Sequence, residues 1–243
     1  MIKIKKNEVH VVIGDNNMVT IKHTTARGTT EKYVTFDDFA KAIAASATVE
    51  TDSKIAFESP ILPNFYVRTI YHREYTTGAH LIILVREPEP ADFTLQLQGH
   101  GWENPQFKSF EKVGMPRLLF AVKVFQNMIQ NVRVCAVKSA NITEETPLFN
   151  YPFSNVDRIT RYGSGGVCFG SNKISAIDIK NIAGLHSVPN MFLSMPNNHD
   201  KYGHNLTEFR YMDLLELLEG QAFDNEILEP AEITLKEWIN KID

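Results

Sequence analysis

The sequence predicts an α+β fold in which an antiparallel sheet is flanked by helices. Apolar residues alternate with polar ones in short stretches through much of the chain, and turn residues separate these stretches, as is typical of antiparallel strands. Helical spacing of apolar residues dominates from about residue 205 onward. Strands that come first and helices that come last indicate an α+β fold and not a doubly wound sheet.

The composition is that of an ordinary globular protein. With 243 residues the chain can bury roughly 70% of the surface that its unfolded form exposes, so a core needs neither disulfides nor metals. Hydrophobic residues make up 43% and charged residues 22%, which excludes a wholly disordered or fibrous chain. The formal net charge of −4 offers no basic surface for nucleic acid. We therefore expect no direct binding to nucleic acid.

The sequence also predicts a cytoplasmic protein with no membrane partner. No apolar run approaches the roughly 18 to 20 residues that span a bilayer. The first six residues alternate like a strand and do not lead into the apolar region of a signal peptide. The chain has two cysteines, Cys135 and Cys168, which are too few for a secreted disulfide framework or a four-cysteine zinc site.

Residues 1–60 are predicted to form a β-rich extension that contains one helix. An apolar alternation interrupted by turn residues at 14–17 indicates a small meander. Thr35 and Asp38 form a capping-box pattern, and apolar residues follow at helical spacing. This pattern predicts a helix over residues 36–47.

Further strands are predicted along the middle of the chain. Two apolar stretches flank Thr76, Thr77 and Gly78, which indicates a hairpin. Prolines after this hairpin interrupt the pattern before it resumes. The predicted strands cover 65–71, 80–85, 92–97, 118–124 and 132–138, and residues 99–102 are predicted to form a loop.

The last hundred or so residues are predicted to begin as irregular chain and to end as helices. Residues 139–173 show little periodicity and are rich in glycine and proline, and functional residues often lie on such loops. A helix over 209–218 is predicted to start at a cap formed by Asn205 or Thr207 and to end at Gly220. A final amphipathic helix is predicted at about 233–239.

The two cysteines lie in different sequence environments. Cys135 alternates with other apolar residues inside a predicted strand, which indicates a small buried side chain with a structural role. Cys168 lies between Gly166 and Gly170, and glycines permit backbone conformations and close approaches that other residues do not. This pattern favours a sulfur that is open to attack, although a tight turn with a half-buried thiol has the same composition.

Five short motifs follow one another between residues 116 and 170. They are Pro116-Arg117-Leu118-Leu119-Phe120, Val134-Cys135-Ala136-Val137-Lys138, Thr146-Pro147-Leu148-Phe149, Pro152-Phe153-Ser154-Asn155-Val156 and Gly166-Val167-Cys168-Phe169-Gly170. In this order they resemble the PRTRC system protein B family of bacterial cassettes, whose members are prokaryotic relatives of ubiquitin-conjugating enzymes. The resemblance is good over about residues 116–170 and loose elsewhere.

The resemblance implies a ubiquitin-conjugating-enzyme-like domain over residues 61–243 and a thioester chemistry. In that family Cys168 would accept the C-terminus of a ubiquitin-like protein as a thioester and transfer it to an amine. Asn155 would match the asparagine of the His-Pro-Asn motif, whose amide can donate a hydrogen bond to the oxyanion. The implied partners are a ThiF-like activating enzyme and a ubiquitin-like protein.

Two departures from the family pattern bear on Asn155. Phe153-Ser154 replaces the usual His-Pro, and residues 158–165 lengthen the interval between Asn155 and Cys168. If these extra residues loop out, Asn155 can reach the thioester. If they do not, Asn155 ties down a turn, as asparagines commonly do.

Two other functions are compatible with the same residues. A cysteine hydrolase would pair Cys168 with one of the following histidines, and His199 is preferred over His186 and His204 because Asn198 or Asp200 could orient it. Alternatively, the chain is a non-catalytic conjugating-enzyme-like binding module of a PRTRC-type cassette.

Other chemistries fit the sequence poorly. Ser164 lies in a Ser-Gly-Gly stretch, but the aspartate that precedes the serine in serine proteases is absent. The glycines at 163–170 lack the Gly-Lys-Ser/Thr ending of a phosphate loop. We predict neither a cofactor nor a metal site, since neither cysteine has a Cys or His at ligand spacing.

Overall fold

The computed structural model divides the chain into two compact units, Met1–Asp52 and Ser53–Asp243. The structure describes residues 8–13, 18–25, 28–46, 55–62, 67–97, 105–170, 172, 182–204 and 208–242. The alternation predicted at residues 2–4, the loop predicted at 99–102 and the two candidate cap residues Asn205 and Thr207 lie outside these ranges.

The first unit is a three-stranded antiparallel meander followed by a helix. Its elements are β1 (Glu8–Ile13), β2 (Met18–Thr25), β3 (Gly28–Thr35) and α1 (Phe36–Ser46), and the strand order is β1-β2-β3. The hydroxyl oxygen of Thr35 accepts the backbone N–H of Asp38 at 3.1 Å, so it caps the first turn of α1. Over the described residues the predicted meander and helix are both present, and residue 47, the last residue of the predicted helix, lies outside them.

The second unit is a mostly antiparallel sheet with three α-helices in its described residues. Its elements in chain order are β4 (Ile55–Glu58), β5 (Val67–Tyr75), β6 (Ala79–Arg86), β7 (Ala91–Gln96), β8 (Phe107–Val113), β9 (Arg117–Phe125), β10 (Met128–Val137), β11 (Pro147–Phe149), α2 (Ile182–Leu193), α3 (Tyr211–Leu218), β12 (Pro230–Thr234) and α4 (Leu235–Lys241). Seven of the strands form one antiparallel sheet in the order β12-β11-β10-β9-β6-β5-β4, and β7 and β8 form a separate two-stranded sheet. The predicted α+β class is confirmed in this coarse form, mostly antiparallel sheet with a few helices.

The strands predicted in the middle of the chain are present. β5 and β6 form the expected hairpin around Thr76–Gly78, and Gly78 adopts the left-handed φ of +77°. Gln126 and Asn127 connect β9 to β10 with φ values of +50° and +60°, as a tight two-residue hairpin requires. β4 pairs with β5, so residues 55–58 belong to the sheet of the second unit although the sequence suggested an extension reaching residue 60.

Both faces of the seven-stranded sheet are covered, and the side chains of β6 alternate between two cores. Ile82 and Leu84 belong to a core that also contains residues of β7, β8, α2 and α3. Leu81, Ile83 and Val85 belong to a second core around Trp238 of α4. A strand buried on both faces carries a continuous apolar run, which is the pattern of residues 81–85.

The C-terminal helices are close to their predicted positions. α3 begins at Tyr211, two residues after the expected start, and its N-cap residue Arg210 makes no side-chain cap hydrogen bond. Thr234 and Glu237 form a reciprocal capping box at the start of α4. Within the part of the chain that the structure describes, every helix is too short or too polar to cross a bilayer.

Candidate functional site around Cys168

Cys168 is a free and exposed cysteine in the irregular segment between β11 and α2. Its two neighbours in sequence, Val167 and Phe169, both pack against the apolar core. The Phe169 ring meets the Phe192 ring of α2 edge to face, with the centroids 6.5 Å apart. Since the neighbours on both sides are anchored in the core, the thiol is presented to solvent from a fixed stretch of chain.

The main chain before Cys168 is held in a short three-stranded ladder. On one side, Val134 of β10 donates its N–H to the Gly165 carbonyl at 2.9 Å, and Val167 donates to a β10 carbonyl at 3.0 Å. On the other side, Asp157 donates to the Gly166 carbonyl at 2.9 Å. The Cys168 N–H donates to the Asn155 carbonyl at 2.8 Å. Cys168 therefore lies at the end of this ladder.

Gly165 is the glycine that the ladder requires. It adopts a φ of +78°, and a Cβ atom on it would lie 2.5 Å from the carbonyl oxygen of Val134. A Cβ on Gly166 would make an ordinary contact of 3.5 Å with the Asp157 carboxylate, and Gly170 has a φ of +57° with open space around it. The segment before Cys168 and β10 thus come closest to each other at Gly165, a residue that the sequence analysis did not single out.

Asn155 is a buried residue that connects Cys168 to the loop before α3. Its backbone has a φ of +66°, a left-handed conformation that asparagine tolerates better than most residues. Its N–H donates to the Asp200 carbonyl at 3.2 Å, and its side-chain Nδ2 donates to the Pro196 carbonyl at 3.3 Å. The structure therefore brings Asn155 next to Cys168. One of the two N–H groups of the Asn155 side-chain amide is already donated to the loop.

A buried polar cluster lies directly before Asn155. The Ser154 hydroxyl is 3.0 Å from Asn197 Oδ1 and 3.1 Å from the Tyr211 hydroxyl, which itself donates to Asn197 Oδ1 at 3.2 Å. Burial raises the pKa of the Tyr211 hydroxyl, so it stays a neutral donor. No local pattern predicts this cluster, because its three members are far apart in the chain.

Phe153 fills a core position and does not take part in the site. Its ring packs against Phe93 at a centroid distance of 5.0 Å and against Tyr151 at 5.5 Å. Residues 153 and 154 thus hold the segment in place through apolar and polar contacts.

His199 lies on the loop that also contacts Asn155 through Pro196 and Asp200. Its ring meets the Tyr211 ring edge to face at 5.8 Å, and burial lowers its pKa, which keeps the imidazole neutral near pH 7. Its Nδ1 atom has no hydrogen-bond partner among the described residues. The Asp200 carboxylate instead accepts from the Asn198 amide at 2.9 Å. The orienting hydrogen bond of a hydrolase triad is therefore not formed here.

The remaining candidates from the sequence do not extend the site. Ser164 Oγ accepts a hydrogen bond from Arg133 Nε at 2.7 Å, and its carbonyl accepts from the buried Trp238 indole at 2.9 Å, so Ser164 holds the loop against the sheet. His186 lies on α2, and the side chain of His204 is outside the described part of the chain. Cys135 is fully buried in β10, and burial raises the pKa of its thiol.

Lys201 and Asp157 form an ion pair beside the ladder. Lys201 Nζ lies 3.0 Å from the Asp157 carboxylate, and both side chains remain partly accessible to solvent. Asp157 also carries the N–H that pairs with Gly166. An exposed pair of this kind contributes about 1 kcal/mol or less to stability, so the ladder depends mainly on its backbone hydrogen bonds.

One comparison with known proteins finds a match. The family model of the prokaryotic E2 family D matches residues 79–231, which is more than half of the 243 residues and runs from β6 into β12. The matched range contains Asn155, Cys168 and His199. No curated protein and no solved structure matches the chain significantly. From the family match, the chain belongs to the prokaryotic E2 family D.

Proposed function

We propose that Cys168 accepts the C-terminus of a ubiquitin-like protein as a thioester and transfers it to an amine. The observation that carries this proposal is the exposed Cys168 thiol at the end of a rigid ladder, in a chain of the prokaryotic E2 family D. An accessible cysteine can form the thiolate that acts as the nucleophile, whereas the buried Cys135 cannot reach a macromolecular substrate.

The first step is a thiol exchange on an activated C-terminus. A ThiF-like activating enzyme uses ATP to convert the ubiquitin-like carboxylate into a thioester on its own cysteine. The Cys168 thiolate attacks that carbonyl carbon, a new C–S bond forms, and the bond to the activating enzyme breaks with release of its thiolate. No net oxidation occurs.

In the second step an amine nitrogen attacks the thioester carbonyl. An amide bond forms, Cys168 leaves as a thiolate, and the amine proton passes to solvent or to that thiolate. The exposure of Cys168 leaves room for an acceptor amine to approach. A donor that stabilises the transient oxyanion typically contributes on the order of 3 kcal/mol in such reactions.

For Asn155 we favour a positioning role. Its carbonyl holds the Cys168 N–H, its side chain holds the Pro196 carbonyl, and its left-handed backbone forms the turn between them. Asn155→Gly keeps the left-handed backbone and removes the amide, so both loading and discharge are expected to persist. If loading persists in this variant and discharge to an amine is lost, Asn155 is instead the oxyanion donor.

The narrower assignment to the PRTRC system protein B family is part of the same proposal. The motifs at 116–170 resemble the PRTRC system protein B family, and the antiparallel run β6-β9-β10 followed by a cysteine-bearing segment fits a ubiquitin-conjugating-enzyme-like core within residues 61–243. The partners would then be a ThiF-like protein and a ubiquitin-like protein encoded in the same cassette. The first unit would be an added module.

A direct test mixes the protein with the ThiF-like enzyme, ATP and the ubiquitin-like protein of its cassette, and compares gels with and without reductant. We expect a reducible adduct that is lost in Cys168→Ala and kept in Cys135→Ala. An adduct that survives in Cys168→Ala would contradict the proposal. A hydrolase would instead react with an electrophilic C-terminal probe in the absence of the activating enzyme.

A non-catalytic binding module is the second candidate, and one observation favours it. Phe153 packs in the apolar core and Ser154 belongs to the buried polar cluster. By the resemblance, these are the positions where conjugating enzymes have His-Pro. A binding module would bind the ubiquitin-like partner equally well before and after Cys168→Ala, and it would form no adduct. Equal binding of the partner by the unchanged protein and Cys168→Ala, together with no thiol-cleavable adduct on the unchanged protein, would identify a binding module; an adduct on the unchanged protein would identify thioester transfer.

A further inference from the structure

The β5–β6 hairpin carries three potential metal ligands at one end of the seven-stranded sheet. Glu74 of β5 lies directly opposite His80 of β6 in the antiparallel register. His72 is two residues before Glu74, so the period of a strand places both side chains on the same face. One ligand atom from each of the three residues lies within 4.8 Å of the other two.

The two imidazoles already have almost the separation that a metal ion would require. His72 Nε2 and His80 Nδ1 are 3.0 Å apart, and the rings are stacked with centroids 5.3 Å apart. Two nitrogens bound to one tetrahedral Zn²⁺ at its usual bond length lie about 3.3 Å apart. Binding of an ion would replace the hydrogen bond between these two nitrogens, turn both of them toward the metal and widen their separation by a few tenths of an ångström.

The backbone of His72 is fixed from the neighbouring segment. Its N–H donates to Ser59 Oγ at 2.9 Å, and its carbonyl accepts the Ser59 N–H at 2.9 Å. The Phe57 ring meets the His72 ring edge to face at a centroid distance of 6.2 Å. These contacts restrict the imidazole on the side away from His80, which is the kind of support that orients a metal ligand.

The nearby cation does not oppose a metal ion on this face. Arg73 lies between His72 and Glu74 in sequence, so its side chain points to the opposite face of the strand, where it is buried. There its guanidinium forms an ion pair with the Glu58 carboxylate at 2.9 Å. The positive charge of Arg73 is therefore neutralised across the sheet from the three ligands.

We propose that His72, Glu74 and His80 form a binding site for a divalent transition-metal ion, with Zn²⁺ as the best fit. Two imidazoles and one carboxylate are a ligand set that Zn²⁺ accepts in its three-ligand sites, whereas Ca²⁺ and Mg²⁺ prefer oxygen ligands alone. Three protein ligands leave a fourth position for water or for a group from a partner. The site uses neither cysteine and is separate from the Cys168 chemistry.

The test is a calorimetric titration of the full chain with Zn²⁺, supported by the visible absorption of bound Co²⁺. We expect one ion per chain, and we expect His72→Asn and His80→Asn each to weaken binding by about 100-fold or more, since loss of outer-shell support alone costs about 10- to 100-fold. The Co²⁺ absorption should disappear in both variants. Glu74→Gln provides a third variant on the same site.

Two matched controls make the result decisive. His23→Asn removes an exposed histidine from the first unit, and Cys168→Ala removes the exposed thiol; both should bind Zn²⁺ as the unchanged protein does. Circular dichroism of each variant without metal establishes that it is folded. Failure of the unchanged protein to bind Zn²⁺, or equal binding by the His72→Asn/His80→Asn double variant, would overturn the proposal and leave the two rings as a simple hydrogen-bonded pair.

Discussion

The two cysteines of this chain show how secondary structure decides whether a thiol can react. Cys135 lies within β10, where strands on both sides and a core around Trp238 exclude water completely. Cys168 also follows a strand-like segment, but the ladder ends there, and its sulfur is exposed. The same side chain is thus a packing element in one place and a candidate nucleophile in the other.

Thiol labelling should show the largest difference between the two sites. We expect a water-soluble alkylating reagent to modify Cys168 and leave Cys135 unmodified in the folded protein, because burial excludes the reagent and raises the pKa of the Cys135 thiol. Mass spectrometry should count one label per folded chain and two per unfolded chain. Two labels on the folded protein would contradict the burial of Cys135.

Substitution of Gly165 should disrupt the ladder that presents Cys168. Gly165→Ala is expected to lower the free energy of unfolding by about 2 to 5 kcal/mol, since it adds a left-handed alanine and an overlap with the Val134 carbonyl. Gly170→Ala is the matched control, and it should cost about 1 to 2 kcal/mol from the left-handed backbone alone. Equal losses in urea titrations would show that the close approach at Gly165 is not important.

The buried polar cluster beneath Asn155 should have a smaller effect. Tyr211→Phe removes a hydroxyl that donates to Asn197, and we expect a loss of about 1 to 2 kcal/mol in the free energy of unfolding. Tyr202→Phe removes an exposed hydroxyl that donates to the Phe209 carbonyl, and its loss should be smaller. A larger loss in Tyr202→Phe than in Tyr211→Phe would contradict the structural role of the cluster.

The smallest expected effect is the pH dependence contributed by His199. Burial lowers the pKa of His199 in the folded protein, so the unfolded chain binds a proton more readily. The stability contributed by the neutral imidazole is therefore complete above pH about 6.5 and declines as the pH falls through the lower pKa of the folded state. The difference in free energy of unfolding between the unchanged protein and His199→Gln should therefore decrease as the pH falls below about 6.5. An increase would contradict the burial of His199.

Much of the sheet could be predicted because its signals are local. The turn residues 76–78 between two apolar stretches predict β5 and β6, and the burial of Cys135 follows from the continuous apolar run at residues 134–137 of β10. The capping pattern of Thr35 and Asp38 likewise predicts the start of α1. Each of these features depends on residues that are close together in the sequence.

The elements that the sequence did not predict depend on distant contacts or break a local rule. β8 buries Phe110 and Val113 but exposes the rest, so its pairing with β7 leaves little pattern. α2 contains Pro189 in its interior, which ordinarily argues against a helix. β12 begins at a proline and pairs with β11, more than eighty residues earlier.

The geometry around Cys168 could not be predicted from local signals. The motif order singled out Asn155 and Cys168 as candidates, yet the backbone hydrogen bond between them requires residues 158–165 to loop out and Gly165 to approach Val134. The chemical roles of the two residues stay a prediction.

The cluster of His72, Glu74 and His80 does have a local sequence signal. A hairpin turn at 76–78 places residue 74 opposite residue 80, and residue 72 lies on the same strand face as residue 74. A search for ligands around the cysteines does not find this cluster.

The central claim is that Cys168 carries the acyl group, and the mass of a trapped adduct tests it most directly. Cys168→Ser should form an oxyester in the presence of the ThiF-like enzyme, ATP and the ubiquitin-like protein. Intact-mass spectrometry is expected to show the two proteins joined with loss of one water, in a bond that resists thiols and is cleaved by hydroxide. An acyl adduct located at any other residue, or formed equally by Cys168→Ala, would contradict the account.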